Sequence, residues 1–158
     1  MNDAHLHLVF NHFPIIVPIV AMIILIVGFF SNSDVVKRTA LGVFILGAIL
    51  TFPAMYTGEG AEEIAEKLPD VTDLLIHEHE EKAETLSIIN YILGFVSLIG
   101  FWAYWKQKTF ANYIVIAALC LGLAGLYFGK ETGTSGGEIR HTEIRAEAPI
   151  QSNADDND

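Results

Sequence analysis

Six histidines are the residues of this chain best suited to chemistry, because imidazole nitrogens bind haem iron and metal ions. They stand in three groups, which precede a first apolar stretch, precede a third and follow a fourth: His5, His7 and His12; His77 and His79; and His141. If each apolar stretch crosses a membrane as a helix, the three groups meet at one end of the bundle. The sequence therefore predicts a haem or metal site at one mouth of a helical membrane protein.

Four apolar stretches must position these histidines. The chain has 158 residues, of which 52% are hydrophobic, and its mean hydropathy is +0.42. Four stretches of about 18 to 20 residues lack Asp, Glu, Lys and Arg, which is long enough to cross a bilayer as a helix: residues 13–30, 39–56, 86–105 and 110–128. The predicted fold is all-α, a four-helix transmembrane bundle over residues 1–141 in a lipid bilayer, followed by a disordered acidic tail over residues 142–158.

Basic residues occupy the two short connections, with Lys37 and Arg38 in the first and Lys106 and Lys108 in the second. The positive-inside rule places them in the cytoplasm, which puts both termini on the outer, periplasmic side of a bacterial inner membrane. The net charge of −10 is then mostly external. It argues against nucleic acid as a partner and suits the docking of a basic electron carrier.

Short sequence echoes predict that the chain is a duplicated helical hairpin. The pair His5 and His7 recurs 72 positions later as His77 and His79, and Thr57-Gly58 recurs 75 positions later as Thr132-Gly133. Such a repeat gives a bundle with a pseudo-two-fold axis along the membrane normal. Small residues at four-residue spacing in the fourth span favour close helix packing, either within the bundle or at the face of a homodimer: Ala118, Gly122, Gly125 and Gly129.

Helical phase distinguishes the two histidines before the third span. His79 falls on one stripe with Asn90 and Ser97, polar residues that lipid would leave without hydrogen-bond partners, so this stripe should face the bundle interior. His77 shares a face with glutamates and is expected on the surface. His79 is therefore a predicted ligand, and His77 and His5 are less favoured.

The remaining candidates are His7, His12 and His141. Asn11 is expected to cap the first span, with His12 at the membrane surface, and His7 is the repeat partner of His79. Either of the two can reach a central ligand. The paired glycines Gly136-Gly137 predict a turn that folds back over the bundle and carries His141 to the site.

The segment from His7 to Ile15, with its His-x-x-x-x-His-Phe-Pro-Ile pattern, resembles the start of the bacterial membrane family called domain of unknown function 2231. Thr57-Gly58, His79 and the segment Gly136-Gly137-Glu138-Ile139 match further motifs of that family, whereas Leu8 stands where the family has proline. The resemblance spans residues 7 to about 141. It implies a four-helix membrane fold and no settled activity.

Histidines from two helices at one end of a bundle can bind a b-type haem iron from both faces. The leading prediction is a small membrane cytochrome b that relays electrons, with His79 and either His12 or His7 as axial ligands. Its partner would be a periplasmic electron carrier or a larger respiratory complex. Covalent haem attachment is not expected, because the chain has no Cys-x-x-Cys-His motif. Three basic residues near this end can neutralise haem propionates: Lys130, Arg140 and Arg145.

Two alternatives stay open at this point. The first is a haem-free Zn or Cu ion site built from the same imidazoles, His79, His12, His7 and His141, together with glutamates near His79. The second is a structural accessory subunit of a membrane complex, whose histidines only form hydrogen bonds. Enzyme activity is not expected, because no nucleophile–base pair, phosphate loop or zinc-protease motif occurs.

Overall fold

The computed structural model describes residues 2–145, and within them every regular element is helical. The elements are six α-helices and a final 3-10 helix: α1 Asp3–Phe10, α2 Phe13–Phe30, α3 Asp34–Tyr56, α4 Gly58–Ala65, α5 Asp73–Trp105, α6 Ala111–Arg140 and the 3-10 helix Thr142–Ile144. Four helical stretches are long and apolar enough to cross a membrane, and they carry the four predicted spans in α2, α3, α5 and α6. The prediction of an all-α chain with four membrane-length helices is confirmed.

Proline sets the break between α1 and α2. Pro14 has no N–H for the carbonyl of Phe10 and its ring crowds that carbonyl, so α1 ends at Phe10. The expectation that Asn11 caps α2 was wrong, because Asn11 closes the end of α1 and His12 precedes α2 without a side-chain cap. Thr72 caps α5, so the short turn before that helix is stabilised by a hydroxyl.

Two helices extend well past their apolar segments. Helix α5 begins at Asp73 and runs through the acidic histidine segment into the span, whereas α6 continues to Arg140. The predicted turn at Gly136-Gly137 was wrong, since both glycines are helical. The chain turns after Arg140, where the guanidinium of Arg145 donates to the carbonyls of Glu138 and Ile139 at 2.8 and 3.2 Å. Residues 142–145 of the predicted tail include the short 3-10 helix, and residues 146–158 lie outside the described residues.

The four long helices form a ring in the order α2, α3, α5, α6, so α2 and α5 lie diagonally opposite. Apolar side chains from all four fill its centre, including Leu25, Phe44, Leu93 and Val115. The four small residues of α6 are also buried inside the bundle, which accounts for them without a homodimer. The outer surface is apolar too, as expected of helices that face lipid.

The buried faces of α2 and α5 share one register. Each buried residue of α2 has a buried counterpart 72 positions later in α5: Pro14 and Leu86, Pro18 and Asn90, Ala21 and Leu93, Met22 and Gly94, Leu25 and Ser97, Gly28 and Gly100. The pair Pro18 and Asn90 is linked indirectly, through the backbone carbonyl of Pro14. Pro18 has no N–H for the carbonyl of Pro14, and the side-chain amide of Asn90 donates to that carbonyl at 2.9 Å.

Lys37 was expected in a connecting loop, and that expectation was wrong. It lies inside α3 and is only 2% exposed. Its Nζ donates to Oδ1 of Asn32 at 3.3 Å and to Oδ1 of Asn112 at 3.1 Å, and lies 3.6 Å from Asp34. The Tyr104 hydroxyl donates to the same Asn112 oxygen at 2.7 Å. These contacts provide the partners that a buried ammonium requires, and they join α3 to α5 and α6 at what we call the lysine end of the bundle.

Candidate metal centre

The opposite end, which we call the histidine end, holds a cavity of about 40 Å³. His7 of α1 and His79 of α5 both line it, together with Met55 of α3. Asn11 and Thr132 add polar groups to its wall. The cavity wall formed by residues 2–145 contains no Asp, Glu, Lys or Arg. The cavity is therefore a neutral site with two imidazoles and one thioether.

The ring of His7 is held by the end of α3. Its Nδ1 lies 3.0 Å from the carbonyl oxygen of Ala54 and 3.4 Å from Oγ1 of Thr57. Because a carbonyl can only accept, the Nδ1 atom of neutral His7 carries the proton and donates it to Ala54. The Nε2 atom then keeps its lone pair, and this is the tautomer in which histidine binds a metal.

The ring of His79 is held in the same way by the end of α6. Its Nδ1 lies 3.2 Å from Oγ of Ser135, whose hydroxyl donates to the carbonyl of Thr132 at 3.1 Å. Since the Ser135 proton is already donated, Oγ accepts from Nδ1–H of His79, and Nε2 is again left with its lone pair. Gly136 lies directly under the ring, because a Cβ atom there would be 2.9 Å from Cε1 of His79.

The two histidine environments repeat each other. In each, Nδ1 lies near a hydroxyl that is hydrogen-bonded to a carbonyl of its own helix. Thr57 Oγ1 lies 2.8 Å from the carbonyl of Pro53 and 3.2 Å from that of Ala54, and Ser135 Oγ lies 3.1 Å from that of Thr132. The two hydroxyl residues are 78 positions apart, whereas the sequence echo paired Thr57 with Thr132 at 75. The difference of three residues is close to one helical turn, so it leaves the hydroxyl on the same face of the helix.

Both cavity histidines lie before the apolar segments that begin at residues 13 and 86. Burial lowers the pKa of His7 below its ordinary 6.5, with a smaller contribution from His12, against the opposing hydrogen bond to Ala54. Burial also lowers the pKa of His79, and the nearby His7 lowers it further. Both rings are therefore neutral at pH 7, as metal binding requires.

The other four histidines are exposed: His5, His12, His77 and His141. Nδ1 of His141 is 2.9 Å from Glu143, and His77 pairs with Glu81 at 3.4 Å. Of the four predicted ligands, the structure therefore brings together His7 and His79 and leaves His12 and His141 outside the cavity. The surface position expected for His77 agrees with the structure.

Sequence reasoning missed three residues of the cavity wall. Met55 was counted only as part of an apolar span, although it adjoins Ala54, the acceptor for His7. Asn11 and Thr132 each present a buried side-chain oxygen without a hydrogen-bond partner, and Thr132 is only 7% exposed. The one available signal for Thr132 was its place in the repeated Thr-Gly pair.

The donor set limits which centre can bind here. Within the described part of the chain, no three or more His, Cys, Asp or Glu side chains are grouped as metal ligands. Zinc sites in proteins use three or four such ligands. Two imidazoles suit either an ion of low coordination number or the axial positions of haem iron. Cofactor pockets span about 300–1,000 Å³, far more than the 40 Å³ found here, so a porphyrin does not fit between these helices as they stand.

Comparisons of the chain with known protein families, characterised proteins and solved structures found no match. The resemblance to the domain of unknown function 2231 family therefore stays a prediction.

Proposed function

We propose that this protein is a membrane metal-binding protein whose His7 and His79 hold one metal ion at the histidine end. The observation that carries the proposal is the matched pair of imidazoles in one cavity, each with Nδ1 engaged by a helix end. Hydrogen bonds of this kind orient the rings of metal-binding histidines and fix their tautomer. Both rings have Nδ1 in a hydrogen bond and Nε2 free, a matched arrangement that a purely structural role for the two histidines would not require.

A b-type haem is the second candidate, supported by imidazoles that come from the two different halves of the chain. The size of the cavity favours a bare ion, because a porphyrin would require α1 and α5 to separate. Of the basic residues expected near haem propionates, Lys130 pairs with Glu131 at 3.3 Å and Arg145 closes the end of α6. We therefore favour a protein that binds a metal ion without haem over the electron-transferring cytochrome predicted from the sequence.

We infer that the protein lies in a bacterial inner membrane with its histidine end and both termini towards the periplasm. The half-buried Arg38 and the exposed Lys106 and Lys108 at the other end support this orientation. Helix α4 and the first turns of α5 carry an excess of glutamates around the histidine end. Such a surface raises the local concentration of cations and can dock a basic partner protein.

The role that fits best is capture and transfer of the ion on one side of the membrane. Below the cavity the bundle is filled by apolar side chains, including Leu25, Leu41, Phe44 and Leu93. An ion could not cross that region without losing its ligands. The shared buried register of α2 and α5 also supports the predicted duplication of a helical hairpin, with one ligand from each half.

Metal and haem analysis of the full-length protein, purified in detergent, tests the proposal. After equilibration with copper or zinc and dialysis, we expect one ion per chain in the wild type and in His77→Ala, whose exposed histidine is the matched control. His7→Ala and His79→Ala should each lose it. An absorption spectrum with a pyridine haemochrome assay detects haem. A red protein whose colour requires both histidines would establish the haem reading, and a protein that binds neither ion nor haem would overturn both.

A further inference from the structure

The identity of the ion can be inferred from the wall of the cavity, and this inference depends on the proposed function of His7 and His79. Met55 lines the same cavity as the two imidazoles and is partly exposed at its edge. A thioether is a soft, neutral donor, and among the metals common in proteins it favours monovalent copper. Met55 would therefore supply the third ligand that the imidazole pair lacks.

The charge of the cavity points the same way. The wall formed by residues 2–145 contains no carboxylate that could neutralise a bound cation. The Born cost of moving an ion from water into protein rises with the square of its charge, so a divalent ion costs about four times as much as a monovalent one. Ligands that are all neutral therefore favour a singly charged ion.

The unpaired oxygens of the wall add an independent observation. Oγ1 of Thr132 and Oδ1 of Asn11 are buried without hydrogen-bond partners, and both residues line the cavity. A buried polar oxygen without a partner is costly unless the site has an occupant. Their partial negative charges would lower the free energy of a cation in the cavity.

The number and type of donors also favour monovalent copper over zinc and divalent copper. Zinc takes four ligands and divalent copper takes tetragonal nitrogen and oxygen donors, whereas the strong donors of this site are two imidazole nitrogens and one thioether sulfur. We propose that the ion is Cu(I), bound by Nε2 of His7, Nε2 of His79 and the sulfur of Met55. The protein would then capture monovalent copper at the histidine end.

A Met55→Leu variant tests the assignment, because leucine keeps the volume of methionine and removes its sulfur. Met22→Leu is the matched control, since Met22 is buried in the bundle core and does not line the cavity. Full-length protein in detergent would be titrated anaerobically with Cu(I) against the chromogenic chelator bicinchoninate, and in parallel with Zn²⁺. X-ray absorption at the copper edge would report a sulfur neighbour.

We expect Met55→Leu to weaken Cu(I) binding about tenfold or more and to remove the sulfur signal, while Met22→Leu binds as the wild type. Cu(I) affinity should exceed Zn²⁺ affinity, and only the former should depend on Met55. Binding that requires both histidines but shows no sulfur and no change in Met55→Leu would overturn the Cu(I) assignment and leave the metal site standing. Binding that survives His7→Ala and His79→Ala would overturn the proposed function itself.

Discussion

Gly136 supports the ring of His79, and its replacement by alanine tests the site geometry most directly. A Cβ atom at position 136 would lie 2.9 Å from Cε1 of His79, 3.3 Å from Nδ1 and 3.5 Å from Nε2. On the same helix, a Cβ atom at position 133 would meet only Cδ1 of Ile15 at 3.5 Å, an ordinary contact. Gly136→Ala should therefore displace the imidazole, and Gly133→Ala is the matched control.

The size of the effect follows from three contributions. Exchanging glycine for alanine inside a helix stabilises it by about 1 kcal/mol, and this gain is common to both variants. At position 136 the added methyl group overpacks the His79 ring, which costs about 1–3 kcal/mol. Loss of the contact between Nδ1 and Ser135 costs about 1 kcal/mol more. Gly136→Ala should thus unfold with a free energy about 2–4 kcal/mol below that of Gly133→Ala.

Unfolding in detergent, followed by circular dichroism, measures this difference, and chelator competition measures metal affinity. Disturbing the hydrogen bond that orients a metal-binding histidine lowers affinity about 10–100-fold, which is the loss expected for Gly136→Ala. Gly133→Ala should bind as the wild type does. Equal stability and equal affinity of the two variants would show that the His79 ring does not lie against Gly136, and the described site would be wrong.

Three further predictions concern pH, the lysine end and the bundle centre. Burial lowers the pKa of both cavity histidines below 6.5, so protons compete with the metal less than at an ordinary imidazole, and metal affinity measured by chelator competition should decline at a lower pH than it would for an exposed histidine pair. The metal-free protein should be most stable above pH 6.5 and lose stability as pH falls from there through the lowered pKa values. Thermal denaturation should show Lys37→Ala destabilised by about 2 kcal/mol, from the lost charged hydrogen bonds, and the exposed Lys106→Ala changed by less than about 0.5 kcal/mol. Asn90→Ala should cost about 1–3 kcal/mol, because the carbonyl of Pro14 loses its donor. In a Pro18→Ala background, where residue 18 supplies its own N–H, the same change should cost less, and a double-mutant cycle without coupling would contradict this account.

Helical phase was sufficient to predict the inward face of α5. The stripe through His79, Asn90 and Ser97 faces the interior, with His79 on the cavity and the other two buried. This inference needs only the period of 3.6 residues, which local backbone geometry fixes. The same reasoning correctly separated His77, which lies on the exposed face.

The choice between His7 and His12 could not be made in that way. Pro14 interrupts the helix, so the phase of α2 cannot be carried back across the break, and contacts with α3 and α4 set the direction of α1. The predicted turn at Gly136 was wrong for a related reason. Glycine has low helix propensity, but here the close approach of the His79 ring requires its missing side chain, and tertiary packing overrides the local preference.

The two ends and the centre of the bundle follow one rule, which explains why the site lies where it does. At the histidine end, His7 and His79, 72 positions apart, share the cavity. In the centre, Asn90 donates to the carbonyl that Pro18, its counterpart 72 positions earlier, leaves without a donor. At the lysine end, Lys37 contacts Asn112, 75 positions later. If the chain is a duplicated hairpin, as proposed above, equivalent residues of its two halves can meet only near the axis that would relate them, so an ion held by both would lie on that axis. On the proposed duplication, the centre and the lysine end pair unlike residues, whereas the histidine end pairs the same residue type, as a shared ligand would require.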